Sequence, residues 1–117
     1  MIPLVLLPGM MCDGRLFLPQ IVTFSARRSV TVGTLTGADS IPGLAAKCLA
    51  EAPSRFALAG LSMGGIVAME MMAGAPERIS RLALLDTNPL AEAPERAAAR
   101  KPQIEAVRAG GLRSVMR

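Results

Sequence analysis

Five residues of this chain have the types and spacing of a nucleophile site: Gly60-Leu61-Ser62-Met63-Gly64. A serine with glycines two before and two after it suits a sharp turn from strand to helix, where the two backbones pass too close for larger side chains. Gly65 extends the small surface. On such a turn the serine backbone is strained and its hydroxyl projects off the sheet. The helix that follows brings backbone N–H groups and a partial positive charge to the hydroxyl, which suits a developing oxyanion. With 11 glycines and seven serines in the chain, the pattern arises by chance about 0.06 times. Taken alone, the pentapeptide also suits a glycine-rich turn with an ordinary helix-capping serine.

A second loop, Leu7-Pro8-Gly9-Met10-Met11-Cys12-Asp13, follows an apolar run near the start. In a parallel sheet the functional loops lie at the carboxyl ends of the strands, so this loop and Ser62 are expected on one edge, on neighbouring strands. A backbone N–H here can serve as a second oxyanion donor. By itself the loop is a Pro-Gly turn.

The chemistry is bounded by what the 117 residues lack. There is no histidine, hence no imidazole base, no Ser-His or Cys-His pair and no histidine metal ligand. Cys12 and Cys48 are far apart, which fits a reduced, cytoplasmic-type protein better than a disulfide scaffold, although a Cys12–Cys48 bridge is conceivable. No metal site and no cofactor are expected. The sequence has no GxxxxGK[ST], and position 62 is serine where a dinucleotide fingerprint needs glycine.

Several elements must position these groups. Ile2–Leu7 is an apolar run that reads as a strand buried on both faces. Phe17–Phe24 reads as a short helix and the β-branched Val30–Leu35 as a second strand. Asp39-Ser40 offers an N-cap to a helix whose stripe is Ile41, Leu44, Ala45, Cys48, Leu49 and Ala52. Phe56–Leu61 is a third strand, and Met63–Ala73, polar only at Glu70, a helix buried on most sides. Ile79–Leu85 is a fourth strand, ending at Asp86-Thr87-Asn88-Pro89. Leu90–Arg117 is helical by composition and interrupted by Pro94, Pro102 and Gly110-Gly111. Alternation of this kind predicts an α/β fold, a parallel sheet with helices on both faces and right-handed crossovers.

Apolar residues are 51% of the chain and charged residues 19%, which excludes intrinsic disorder. The net charge is +4, and all of it falls after Pro94, on Arg96, Arg100, Lys101, Arg108, Arg113 and Arg117 against Glu95 and Glu105. No aromatic is interleaved there, so a solvated helix face is favoured over a nucleic-acid or membrane patch. No stretch is long and apolar enough to span a bilayer. The eight methionines suit core filling before an apolar acyl pocket.

Three segments, Leu6-Leu7-Pro8-Gly9-Met10, Gly60–Gly65 and Ala75-Pro76-Glu77-Arg78-Ile79-Ser80-Arg81-Leu82-Ala83-Leu84-Leu85-Asp86, together resemble the α/β-hydrolase family in order and spacing, across essentially the whole chain. The resemblance implies that Ser62 is the nucleophile, that Met63 N–H and Met10 N–H form the oxyanion hole, and that Gly60, Gly64 and Gly65 shape the elbow. Pro8 stands where the family usually has histidine. In the family the acid follows a later strand and the histidine the last one. The mapping therefore implies the N-terminal part of a larger enzyme, about four strands of the sheet, with 1–89 in the core and 90–117 leading into a cap. Some family members carry their acid where Asp86 stands, but a strand-end turn residue is the simpler reading, as loop and helix residues are for Asp13 and Glu70. The expected activity is serine-nucleophile hydrolysis of a small-molecule carboxylic ester or related acyl bond. The alternatives are a catalytically inactive fragment or interaction module on the same scaffold, and acyltransferase or lyase chemistry on the same fold.

Overall fold

The computed structural model describes residues 1–88 and 94–110. Strand β1 (Leu4–Leu7) is followed by a 3-10 turn at Gly14–Phe17, helix α1 (Leu18–Phe24) and strand β2 (Val30–Val32). Helix α2 (Ile41–Glu51), strand β3 (Phe56–Leu61), helix α3 (Met63–Gly74), a 3-10 turn at Pro76–Arg78, strand β4 (Ile79–Leu85) and helix α4 (Pro94–Arg108) complete the described elements. The boundary expected at 89/90 lies outside the described residues, as do Gly111, Arg113 and Arg117.

The four strands form one parallel sheet in the order β2-β1-β3-β4. From β1 the chain steps outward to β2, then returns past β1 to β3 and on to β4. Right-handed crossovers therefore put α1 on one face and α2 and α3 on the other. The step direction reverses between β1 and β3, which makes the carboxyl edge of these two neighbours a topological switch point, where open α/β sheets form their crevice.

The α2–α3 face holds the core. Val5 and Leu7 of β1, Phe56 and Leu58 of β3, and Leu44, Ala45 and Cys48 of α2 cluster with Val67, Ala68 and Met71 of α3 and with Ile79. Burying each large apolar side chain contributes about 1.5–3 kcal/mol. The expected α2 stripe is recovered whole, with Ile41, Leu49 and Ala52 packed against this cluster. Its N-terminus is capped by Ser40, whose Oγ accepts from the Gly43 N–H at 3.1 Å.

Arg78 joins the two layers at the other end. Its guanidinium donates to the carbonyls of Ala52 (3.1 Å), Pro53 (2.7 Å) and Ser54 (3.2 Å). It also lies 5.6 Å from the centre of the buried Phe56 ring. One side chain thus takes up the α2 C-terminal carbonyls and pins the turn that leads into β3.

Four expectations are corrected. β1 starts at Leu4 rather than Ile2, which is exposed; Pro3 before it has no N–H to give the ladder. β2 ends at Val32, with one further backbone bond from Gly33 N–H to Leu6 O at 2.8 Å. The first helix is preceded by a 3-10 turn that Asp13 caps by accepting from Arg15 N–H at 3.0 Å; this hydrogen bonding from Arg15 also holds the Asp13 carboxyl below its ordinary pKa. Pro102 does not interrupt α4, because on an exposed helix water takes the freed carbonyl. Pro94 occupies the first helical position, where a missing N–H is no loss.

Two elements are less buried than their composition implies. In α3, Ile66, Glu70 and Ala73 form an exposed stripe. In β4 only Ile79 is buried, and Leu82, Leu84 and Leu85 are exposed. β4 is the outer strand of this sheet, so an apolar edge stands open.

Candidate active site

The crevice at the switch point is built around Ser62. This residue has φ 54° and ψ −116°, a conformation L side chains rarely adopt. It is held there from three directions. The Ser62 N–H donates to Leu85 O at 2.8 Å, extending the β3–β4 pairing past the strand. The Ser62 carbonyl accepts from Gly65 N–H at 2.9 Å, the first turn of α3, and from the Thr87 hydroxyl at 2.8 Å. With its backbone groups spent and its side chain exposed, the hydroxyl is the part of Ser62 that faces outward. Its Oγ caps no α3 N–H, which removes the ordinary helix-capping reading.

The glycines explain how strand, turn and helix come so close. A Cβ on Gly60 would fall 2.7 Å from Gly65 N, and one on Gly64 2.6 Å from the Leu7 carbonyl carbon. One on Gly65 would fall 2.6 Å from the Thr87 Cβ. Gly60 and Gly64 are therefore required by backbone approach, and Gly65 by the close approach of the Thr87 side chain.

The β1 loop lies alongside. Gly9 is buried, and a Cβ placed on it would be 3.7 Å from the Ser62 Cβ. Met10 comes next with its side chain exposed, and the loop turns back through Met11 at φ 61°, with Cys12 N–H donating to Gly9 O at 3.1 Å. Neither Met63 N–H nor Met10 N–H has a hydrogen-bond partner among the described residues. Met63 opens α3 directly after Ser62, where the helix dipole is most positive.

Ser62 opens into a cavity of about 430 Å³ that it lines together with Ile66, Asp86, Thr87, Asn88, Arg96 and Arg100. Asp86, with φ 47°, directly follows β4 and shares this space. Asp13 caps its turn and Glu70 lies on the exposed stripe of α3, so neither lines the cavity. Five lining residues, Ile66, Thr87, Asn88, Arg96 and Arg100, were not legible as site residues. Thr87 read as part of an Asp-Thr-Asn-Pro turn; its place after β4, the neighbour of β3, was the available signal. Arg96 and Arg100 read as a solvated helix face, and both are exposed; no local signal in the sequence places them beside Ser62.

No protein-family model matches this sequence, and no curated protein does. Solved structures do match. A malate-bound thermophilic esterase from Thermogutta terrifontis superposes with a TM-score of 0.83 at 24% identity, over 95% of this chain and 46% of that one. The fold is that of the α/β-hydrolases. A membrane phospholipase A described as a bacterial virulence factor gives a TM-score of 0.65 at 26% identity, over 78% of this chain and 34% of its own. A probable hydrolytic enzyme from Pseudomonas aeruginosa gives 0.60 at 21% identity, over 73% and 32%. The chain spans less than half the length of these α/β-hydrolase structures. No helix among the described residues is long and apolar enough to cross a membrane.

Proposed function

We propose that this chain carries the nucleophile and oxyanion hole of a serine hydrolase acting on a carboxylic ester or related acyl bond, in the reducing cytoplasm. The observation that carries this reading is Ser62 at φ 54° and ψ −116° on the turn from β3 into α3, beside the switch point. In this reading Ser62 Oγ attacks the substrate carbonyl and a C–O bond forms. The Met63 N–H and the Met10 N–H receive the oxyanion. Collapse of the tetrahedral intermediate expels the alcohol, and water then releases the acid. Each oxyanion donor is worth about 2.7–4 kcal/mol of barrier in sites of this type. The base that takes the Ser62 proton is a histidine outside the 117 residues, which contain none. Asp86 shares the cavity but has no imidazole here to orient. The absence of histidine favours one second reading, a catalytically silent module on the same scaffold.

The test supplies the missing base. The chain is incubated with p-nitrophenyl acetate with and without imidazole, and acylated peptides are mapped by mass spectrometry. Without imidazole, turnover equals that of Ser62→Ala. With it, an acetyl group appears on Ser62. Acetylation that avoids Ser62 at every imidazole concentration overturns the nucleophile assignment and leaves the silent module.

A further inference from the structure

We infer that the cavity beside Ser62 selects acyl substrates that themselves carry a carboxylate, such as the hemiester of a short dicarboxylic acid, with Arg96 and Arg100 holding the anionic end. The inference rests on Ser62 being the attacking group.

Arg96 and Arg100 are four residues apart in α4 and so share one helix face. That face borders the cavity, since both residues line it with Ser62. The two carboxylates of the same helix do not. At about 100° per residue, Glu95 lies about a quarter turn from Arg96 and Glu105 on the opposite side, and neither lines the cavity. The acid in the lining is Asp86, so two guanidinium groups face one carboxylate and the balance is positive. Arg96 has no hydrogen bond or ion pair among the described residues. Arg100 has an interaction of its own, and its charge adds to the field.

The geometry orders the substrate. Guanidinium groups bind carboxylate oxygens through paired N–H donors. Ser62 stands on the sheet side of the cavity and the arginines on the α4 side. Ile66 gives the space its apolar contact. An ester carbonyl at Ser62, a short aliphatic stretch past Ile66 and a terminal carboxylate at α4 satisfy all three. A volume of about 430 Å³ lies in the lower part of the range for small-molecule pockets, which suits a short diacid.

The 117-residue chain is titrated with monoethyl succinate and with neutral diethyl succinate, and affinities are read from chemical-shift changes. Both arginines are exposed, so a contact with each is worth up to about fivefold. The hemiester therefore binds about two- to fivefold tighter than the diester at low salt. The preference falls toward one in Arg96→Gln and in Arg100→Gln. It survives in Lys101→Gln, which removes a charge of α4 that does not line the cavity, and in Ser62→Ala. Equal affinities in the unaltered chain, or an equal drop in Lys101→Gln, overturn the inference. Binding is read without turnover, so the two failures separate. If Ser62 is never acylated but the charge preference holds, the hydrolase reading falls. If Ser62 is acylated but the preference is absent, only the substrate class falls.

Discussion

Replacing Gly64 by alanine tests the architecture of the elbow. A Cβ at Gly64 would lie 2.6 Å from the Leu7 carbonyl carbon and 2.6 Å from Pro8 O, about 0.8 Å inside the 3.4 Å where ordinary contact begins. The obstacle is backbone, and Leu7 and Pro8 are both fully buried, so no flexible side chain can yield. Either α3 lifts off the sheet or the end of β1 moves. Overpacking of this kind costs about 1–3 kcal/mol, and backbone against backbone belongs at the upper end. Opposing it is the helix preference of alanine over glycine, about 1 kcal/mol. The clash wins by about 2 kcal/mol. With a urea m-value of about 2 kcal/mol/M for a small chain, the midpoint falls by about 1 M. Gly74→Ala is the control. It lies in the same helix with nothing within 4 Å of its Cβ position, so only the helix preference acts and the midpoint rises or holds. Urea unfolding followed by circular dichroism reads both. A Gly64→Ala midpoint equal to or above that of the unaltered chain refutes the close approach of α3 and β1.

Ser62→Gly removes the proposed nucleophile and also relieves a positive φ, so the variant is expected to be more stable by about 1 kcal/mol, read as a higher urea midpoint. Arg78→Ala strands the carbonyls of Ala52, Pro53 and Ser54 and uncovers Phe56; it should lower stability by about 2–3 kcal/mol, with little recovery in Arg78→Lys, which lacks the planar fork. Cys12 is exposed and Cys48 buried, so a thiol reagent at neutral pH should modify Cys12 at once and Cys48 only on unfolding. Burial, aided by the negative charge of Glu51, pushes the Cys48 thiol pKa up. The unfolded chain therefore loses this proton first. The stability is fully present below the unfolded thiol's pKa and is lost as pH rises through the folded value. The urea midpoint should fall across that alkaline range, and the fall should flatten in Cys48→Ala.

The order of elements was legible because it rests on local signals. Phe56–Leu61 and Ile79–Leu85 match β3 and β4 end for end, since turns and a helix stop bound each apolar run. The elbow was legible for a related reason. Close backbone approach admits only glycine, and glycines around one serine leave a mark that needs no partner to be read. Burial was less legible. The apolar run of β4 does not say how far it is covered, because its exposure depends on which strands stand beside it.

By itself, the sequence determined a parallel α/β scaffold with Ser62 at a strand-to-helix turn, and it determined that no imidazole is present to activate that serine. Tertiary structure decided the rest. It set Gly9 and Ser62 side by side through the pairing of β1 with β3, fastened the elbow with Thr87 from the far side of β4, and brought Arg96 and Arg100 over the cavity. These contacts join residues up to about half the chain apart. Periodicity and turn chemistry act over a few residues and carry no record of such distances. The buried core fixes the strand order that brings Gly9, Ser62 and Thr87 together.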